Sequence, residues 1–191
     1  MHDRKRLVPE DFVVPETLEH SRFRLRMLNV NDLIKDYDAV MSSTGHLQQT
    51  FSVESDGIWP EDLTIEEDLI DLGWHQREFT LRLSFAYTMM SPDESRCLGC
   101  MYIMPTRKRD HDAKVTLWVR ADELVSGLDQ ELYETVRNWI ANDWPFKNPA
   151  FPGRGIGFDD WRALPEECPR DSPICWISPA ERPSLPVRPA G

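Results

Sequence analysis

Hydrophobic and polar positions first alternate over Phe23, Leu25 and Met27, with Arg22, Arg24 and Arg26 between them. A period of two predicts a strand with one buried face. The spacing then turns helical: Leu33, Ile34, Tyr37, Val40 and Met41 form one apolar side, with Asn31 as the expected cap. A polar stretch, 42–60, follows. Thr64-Ile65-Glu66-Glu67 is a capping box, in which hydroxyl and carboxylate satisfy free N–H groups at a helix start. It opens a second helix, with Ile65, Leu69 and Leu72 as its apolar stripe, running to about Glu78. Leu83, Phe85, Tyr87 and Met89 alternate as a strand, Ser91-Pro92-Asp93-Glu94 makes a turn, and 97–104 is a more fully apolar strand. Together they predict a hairpin. Val115, Leu117 and Val119 alternate with Thr116, Trp118 and Arg120 as a further strand. A helix follows with Leu128, Leu132, Val136, Trp139 and Ile140 on one face, and Trp144-Pro145 ends it. A short last strand falls over 146–151. This order predicts one mixed sheet with helices on both faces.

Residues 1–20 read as an extended arm and 21–164 as the domain. Seven prolines between Pro165 and Pro189 mark 165–191 as an irregular tail.

Charge and cysteines narrow the picture. A net charge of −11 over 191 residues repels phosphate backbones and anionic bilayers, so neither nucleic acid nor a membrane is an expected partner. No apolar run approaches the ~20 residues of a membrane span. The basic start (Arg4, Lys5, Arg6) is not followed by an apolar stretch, so no secretory signal is expected and the cytoplasm is the expected location. Cys97 and Cys100 form a C-x-x-C inside a strand. Residues three apart on a strand point to opposite sides, which suits chelation poorly unless a bulge forms at Gly99. Buried structural thiols, and no metal ligands, are therefore expected. Cys168 and Cys175 lie in the tail.

The run Leu83-Ser84-Phe85-Ala86-Tyr87-Thr88, followed by Arg96-Cys97-Leu98-Gly99-Cys100-Met101-Tyr102-Ile103, resembles the central hairpin of the GNAT acyltransferases. Their second hairpin strand typically carries x-L-G-x-x-x-I. The strand, loop and helix from Val115 through Gly127 resemble that family's cofactor-binding unit. The resemblance covers roughly 20–155 and implies an α/β (α+β) fold: a mixed, mostly antiparallel sheet flanked by helices. It also implies an acyl-CoA co-substrate, acetyl-CoA first. By the same resemblance the backbone of Leu117, Trp118 and Val119 holds the pantetheine arm. Arg120, Leu124, Val125, Ser126, Gly127 and Leu128 surround the pyrophosphate at a helix start.

The family's fingerprint is Arg or Gln, two residues, Gly, one residue, then Gly or Ala. Those positions fall on Leu124, Gly127 and Asp129, and only Gly127 matches. Ser126 and Asp129 together resemble a helix cap, and Arg120 is the nearest source of positive charge. Gly153-Arg154-Gly155-Ile156-Gly157 follows the last helix and reads as a turn. No closing hairpin is evident after it, which implies a shortened C-terminal part.

Acyl transfer to an amine needs a base for the ammonium and an acid for the leaving thiolate. His75 and Glu78 at the end of the second helix are the base candidates, and Tyr87 is the acid candidate. Trp59, Trp74 and Trp118 are candidates for an aromatic acceptor pocket. The resemblance implies an N-acyltransferase acting on a small amine, with a homodimer left open. The alternative is a GNAT-fold ligand-binding or protein-interaction module without catalysis. The degenerate fingerprint favours that second reading. A third class is a protein-interaction module that uses Arg182-Pro183-Ser184-Leu185-Pro186 as a polyproline ligand.

Overall fold

The computed structural model describes residues 6–51 and 59–167. The alternating segments become six strands in sequential order: β1 (Thr17–Glu19), β2 (Arg24–Met27), β3 (Phe85–Met90), β4 (Cys97–Met104), β5 (Ala113–Val119) and β6 (Pro149–Ala150). All neighbours run antiparallel except β5 and β6, which are parallel. The helices are α1 (Leu33–Met41), α2 (Thr44–Phe51), α3 (Ile65–Leu81), α4 (Leu128–Asp143) and α5 (Phe158–Ala163).

The pleat divides the hairpin between two cores. Tyr87, Met89, Met101, Ile103, Leu117 and Val119 face α4, whose Leu128, Leu132, Val136 and Ile140 fill that side. Burying each such aliphatic contributes about 1.5–3 kcal/mol. The opposite face carries Met90, Cys97, Cys100 and Trp118 beneath Val40 of α1 and Leu47 of α2. Leu72 of α3 packs there on Ala86 and Leu28.

Three expectations change. The first cap is Asn29, not Asn31: its side chain accepts from the Asn31 N–H and opens a 3-10 turn ahead of α1. The stretch over 42–60 holds α2, whose buried side chain is Leu47. The apolar stripes of α1 and α3 also differ. Ile34, Ile65 and Leu69 are exposed, while Asp36 of α1 and Asp68, His75 and Glu78 of α3 are buried. Polar residues share the buried helix faces, so apolar spacing alone points to the wrong side.

The arm expected over 1–20 is tied down: Val8 is buried, the Leu7 N–H donates to Arg82 O at 2.8 Å, and β1 pairs with β2. At the other end, Arg109 N–H donates to Pro165 O and Glu167 N–H to Arg107 O. Among the described residues no strand follows β6. The tail from 168 on, with Cys168, Cys175 and the proline-rich segment, lies outside the described residues.

Candidate active site

β5 and β6 pair only at Ala113↔Pro149 and Lys114↔Ala150. Among the described residues β5 continues to Val119 with no strand on that edge, because the chain after Ala150 turns away through Pro152 and Gly153. Gly153 holds a φ of 79° and lies against the Phe158 ring, where a Cβ would come within 2.4 Å of that ring. The resulting cleft, about 160 Å³, is lined by Val115, Thr116 and Leu117 on one side and Pro152, Gly153 and Arg154 on the other.

Arg154 on the cleft wall reaches Asp129 in the first turn of α4. Gly127 takes a φ of 74°, and no side chain caps the helix. Its first-turn N–H groups therefore present donors and a positive dipole end. The cap expected from Ser126 and Asp129 does not form. Ser126 Oγ donates to Glu123 O and accepts from Arg22 at 2.9 Å. Asp129 is held by both terminal nitrogens of Arg154, at 2.5 and 2.6 Å. Arg120 does not face a phosphate position. It is buried and pins the end of β5 to Asp38 of α1 at 2.7 Å. His46 of α2 has its Nε2 buried without a partner. Burial lowers the pKa of His46.

A second cavity, about 420 Å³, opens on the α1–α3 face of the sheet. Phe51, Trp59, Tyr102 and Trp118 supply aromatic walls, and Asp36, Asp68, Asp71 and His75 supply polar ones. Phe51 and Thr116 line both this cavity and the β5–β6 cleft, so the two spaces adjoin. His75 Nε2 lies 3.4 Å from Asp71 Oδ2, while its Nδ1 is buried without a partner. The His75 ring packs on Tyr102 at 5.1 Å between centroids. Asp68 is 4% exposed and its Oδ2 has no partner. Burial, with the Asp36 and Asp71 charges nearby, pushes Asp68 up to about 7, and burial likewise pushes Asp36 up to about 6.

These two carboxyls set a pH dependence. An unfolded Asp ionises at about 3.9, so between about pH 4 and 7 the folded chain keeps protons that the unfolded chain has lost. Stability from these groups therefore falls as pH rises through that window and is level above it. Asp68→Asn removes one contribution. Its melting temperature relative to the native chain is expected to rise on going from pH 5 to pH 7.5, as thermal melts at the two pH values will read.

Of the residues expected from sequence, His75 and Trp118 line this cavity, and so does Trp59. Trp74 is 40% exposed and is not among the lining residues. Glu78 is buried and pairs with Arg77 at 2.8 Å, away from the lining. Tyr87 lies on the α4 face of the sheet, opposite to Trp118, and its hydroxyl donates to Pro15 O at 2.5 Å. Burial drives its pKa well up. Tyr87→Phe would orphan the Pro15 carbonyl and is expected to cost about 1–2 kcal/mol in chemical unfolding, without changing any ligand affinity of the cavity. Leu124 and Val125 are exposed on the 3-10 helix before α4 (Ala121–Ser126), Val125 at 95%. Asp36, Asp68, Asp71 and Tyr102 were not anticipated. The one signal for them was the spacing of Asp68, Asp71 and His75, which puts all three on one side of a helix.

No family model matches this chain, and no curated protein matches it. Solved structures do resemble it. The ribosomal-protein-S5-alanine acetyltransferase of Vibrio fischeri matches with a TM-score of 0.53 at 14% identity, over 65% of this chain and 66% of that one, just under two thirds of its length. A putative ribosomal-protein-serine acetyltransferase from Vibrio cholerae gives 0.57 at 8% identity, over 76% and 78%. The microcin C7 self-immunity acetyltransferase MccE, solved with acetyl-CoA and AMP, gives 0.51 at 9% identity, over 68% and 70%. At these identities the likeness is one of fold. The sequential, mostly antiparallel six-stranded sheet and its flanking helices give this chain the fold of the GNAT acetyltransferases.

Proposed function

We propose that the chain is an acyl-CoA-dependent N-acyltransferase, with acetyl-CoA as the donor to test first, acting on a small amine-bearing acceptor. The observation that carries this reading is the junction at Phe51 and Thr116. A thioester held along β5 in the cleft would place its reactive end beside the acid-lined cavity. Acyl-CoA, when bound, supplies an activated carbonyl. The chain supplies the rest. The unpaired β5 edge from Val115 to Val119 offers backbone groups to the pantetheine. The first turn of α4 offers N–H groups to the pyrophosphate. Asp68 attracts a cationic acceptor, and the aromatic walls take its apolar body. His75, oriented by Asp71, takes the ammonium proton.

The site fits the cofactor at the cleft and at the uncapped helix. It fits less well at Asp129, whose carboxylate sits in the first turn of α4 and is neutralised by Arg154. That pair favours a second reading, a GNAT-fold binding module without catalysis. A turnover assay separates the two. The chain is mixed with acetyl-CoA and a panel of amines graded in charge and ring size, and released thiol is followed. Turnover with monocationic amines carrying an apolar body supports the enzyme. Absence of turnover across the panel supports the module.

A further inference from the structure

We propose that Asp36, Cys97 and Cys100 form a binding site for a thiophilic divalent cation, Zn²⁺ in the first instance. This does not depend on the acyl-transfer reading.

The two cysteines face the same side of β4. A regular strand would set them on opposite faces, but the register slips: Met89 pairs with Gly99 while Met90 pairs with Cys97. This bulge adds a residue between them, and Cys97 and Cys100 enter the same core under α1. Asp36 projects into that core from α1. Its Oδ1 lies 3.2 Å from Cys100 Sγ and 4.0 Å from Cys97 Sγ, and one ligand atom from each residue lies within 4.8 Å of the others.

Those distances match a metal polyhedron. Tetrahedral zinc with Zn–S about 2.3 Å and Zn–O about 2.0 Å holds a neighbouring sulfur and oxygen about 3.5 Å apart. The two observed S···O distances bracket that value. The ligand set of two sulfurs and one carboxylate selects zinc over magnesium or calcium, which take oxygen ligands.

Asp36 also lacks any other counter-charge. It is 6% exposed, and among the described residues its side chain has only the two thiols as partners. Asp68 and Asp71 line the same cavity. A buried carboxylate with neither a cation nor a backbone N–H is costly, and a bound cation removes that cost. Binding Zn²⁺ would displace the protons of both thiols and of any protonated Asp36, leaving two thiolates, one carboxylate and a site charge of about −1. Because both thiols must lose their protons to bind metal, affinity must rise with pH. Asp36 also lines the 420 Å³ cavity, and three protein ligands leave a fourth position for water.

The test uses the untagged full-length chain carrying Cys168→Ser and Cys175→Ser, so that the tail thiols contribute nothing. After chelator treatment it is titrated with Co²⁺ and then Zn²⁺. The expected result is a thiolate-to-cobalt charge-transfer band with tetrahedral visible bands, saturating at one cobalt per chain and lost on adding Zn²⁺. Asp36→Asn in the same background should weaken binding more than about 100-fold, beyond the loss seen for outer partners of metal ligands. Cys100→Ser should cut the charge-transfer intensity by at least half, and Cys97→Ser combined with Cys100→Ser should remove the band. Absence of that band in the tail-cysteine variant would overturn the proposal, and this reading needs no further substitution to fold. Cobalt affinity unchanged in Asp36→Asn, or a band that persists in the variant lacking both Cys97 and Cys100, would overturn it as well.

Discussion

Replacing His75 with asparagine is expected to lower turnover by about 100-fold or more while leaving the acceptor KM near its native value. General base catalysis by a positioned side chain contributes about 10²–10⁴-fold, and among the cavity groups only His75 has both an orienting carboxylate and a free ring nitrogen. Asp68→Asn should behave differently. It removes a charge that draws in the cation, so the KM for cationic acceptors should rise more than kcat falls. Thiol-release kinetics on both variants, with acetyl-CoA affinity as the check on folding, will read the split. A loss of less than about threefold in His75→Asn would move the base elsewhere.

Gly99→Ala is expected to destabilise the chain by about 3 kcal/mol or more, at the upper end for overpacked sites. A Cβ on Gly99 would stand 2.1 Å from the Trp118 carbonyl oxygen and 2.9 Å from Val119 Cα. Both are backbone atoms of the neighbouring strand, so no rotamer change relieves the clash. Relief requires β4 and β5 to part or the bulge to be lost. Loss of the bulge would restore strand alternation and turn Cys97 and Cys100 to opposite faces. Urea unfolding measures the cost, and a shift within about 0.5 kcal/mol would mean that Gly99 is not the constraint described.

Much of the fold was legible because it obeys simple periods. The hairpin, β5 and α4 each keep one apolar face, and α4 buries all five side chains expected of it. What was misread follows from polar residues buried on apolar-looking faces. Asp68, His75 and Glu78 share the inner side of α3, so Ile65 and Leu69 marked the wrong one. The cysteines are buried as expected, but they share one face: strict alternation assumes an unbroken ladder, and the slip beside Gly99 breaks it. The glycine itself was the visible signal. α2 escaped notice because little along it is buried beyond Leu47. Around the candidate site, the strand–turn–helix frame of β5 and α4 was legible, but its electrostatics were not. Arg154 and Asp129 are 25 residues apart in sequence, and only the turn after β6 brings them together.

The central claim is that the parted β5–β6 edge and the start of α4 still receive an acyl-CoA. Isothermal titration of the full chain with acetyl-CoA tests it most directly, with free CoA alongside and Gly127→Val as the variant, since a β-branched residue poorly tolerates the φ of 74° found there. The account predicts micromolar binding of both ligands, weakened at least about tenfold in the variant. No binding heat at millimolar acetyl-CoA, in a chain that melts cooperatively, would contradict it.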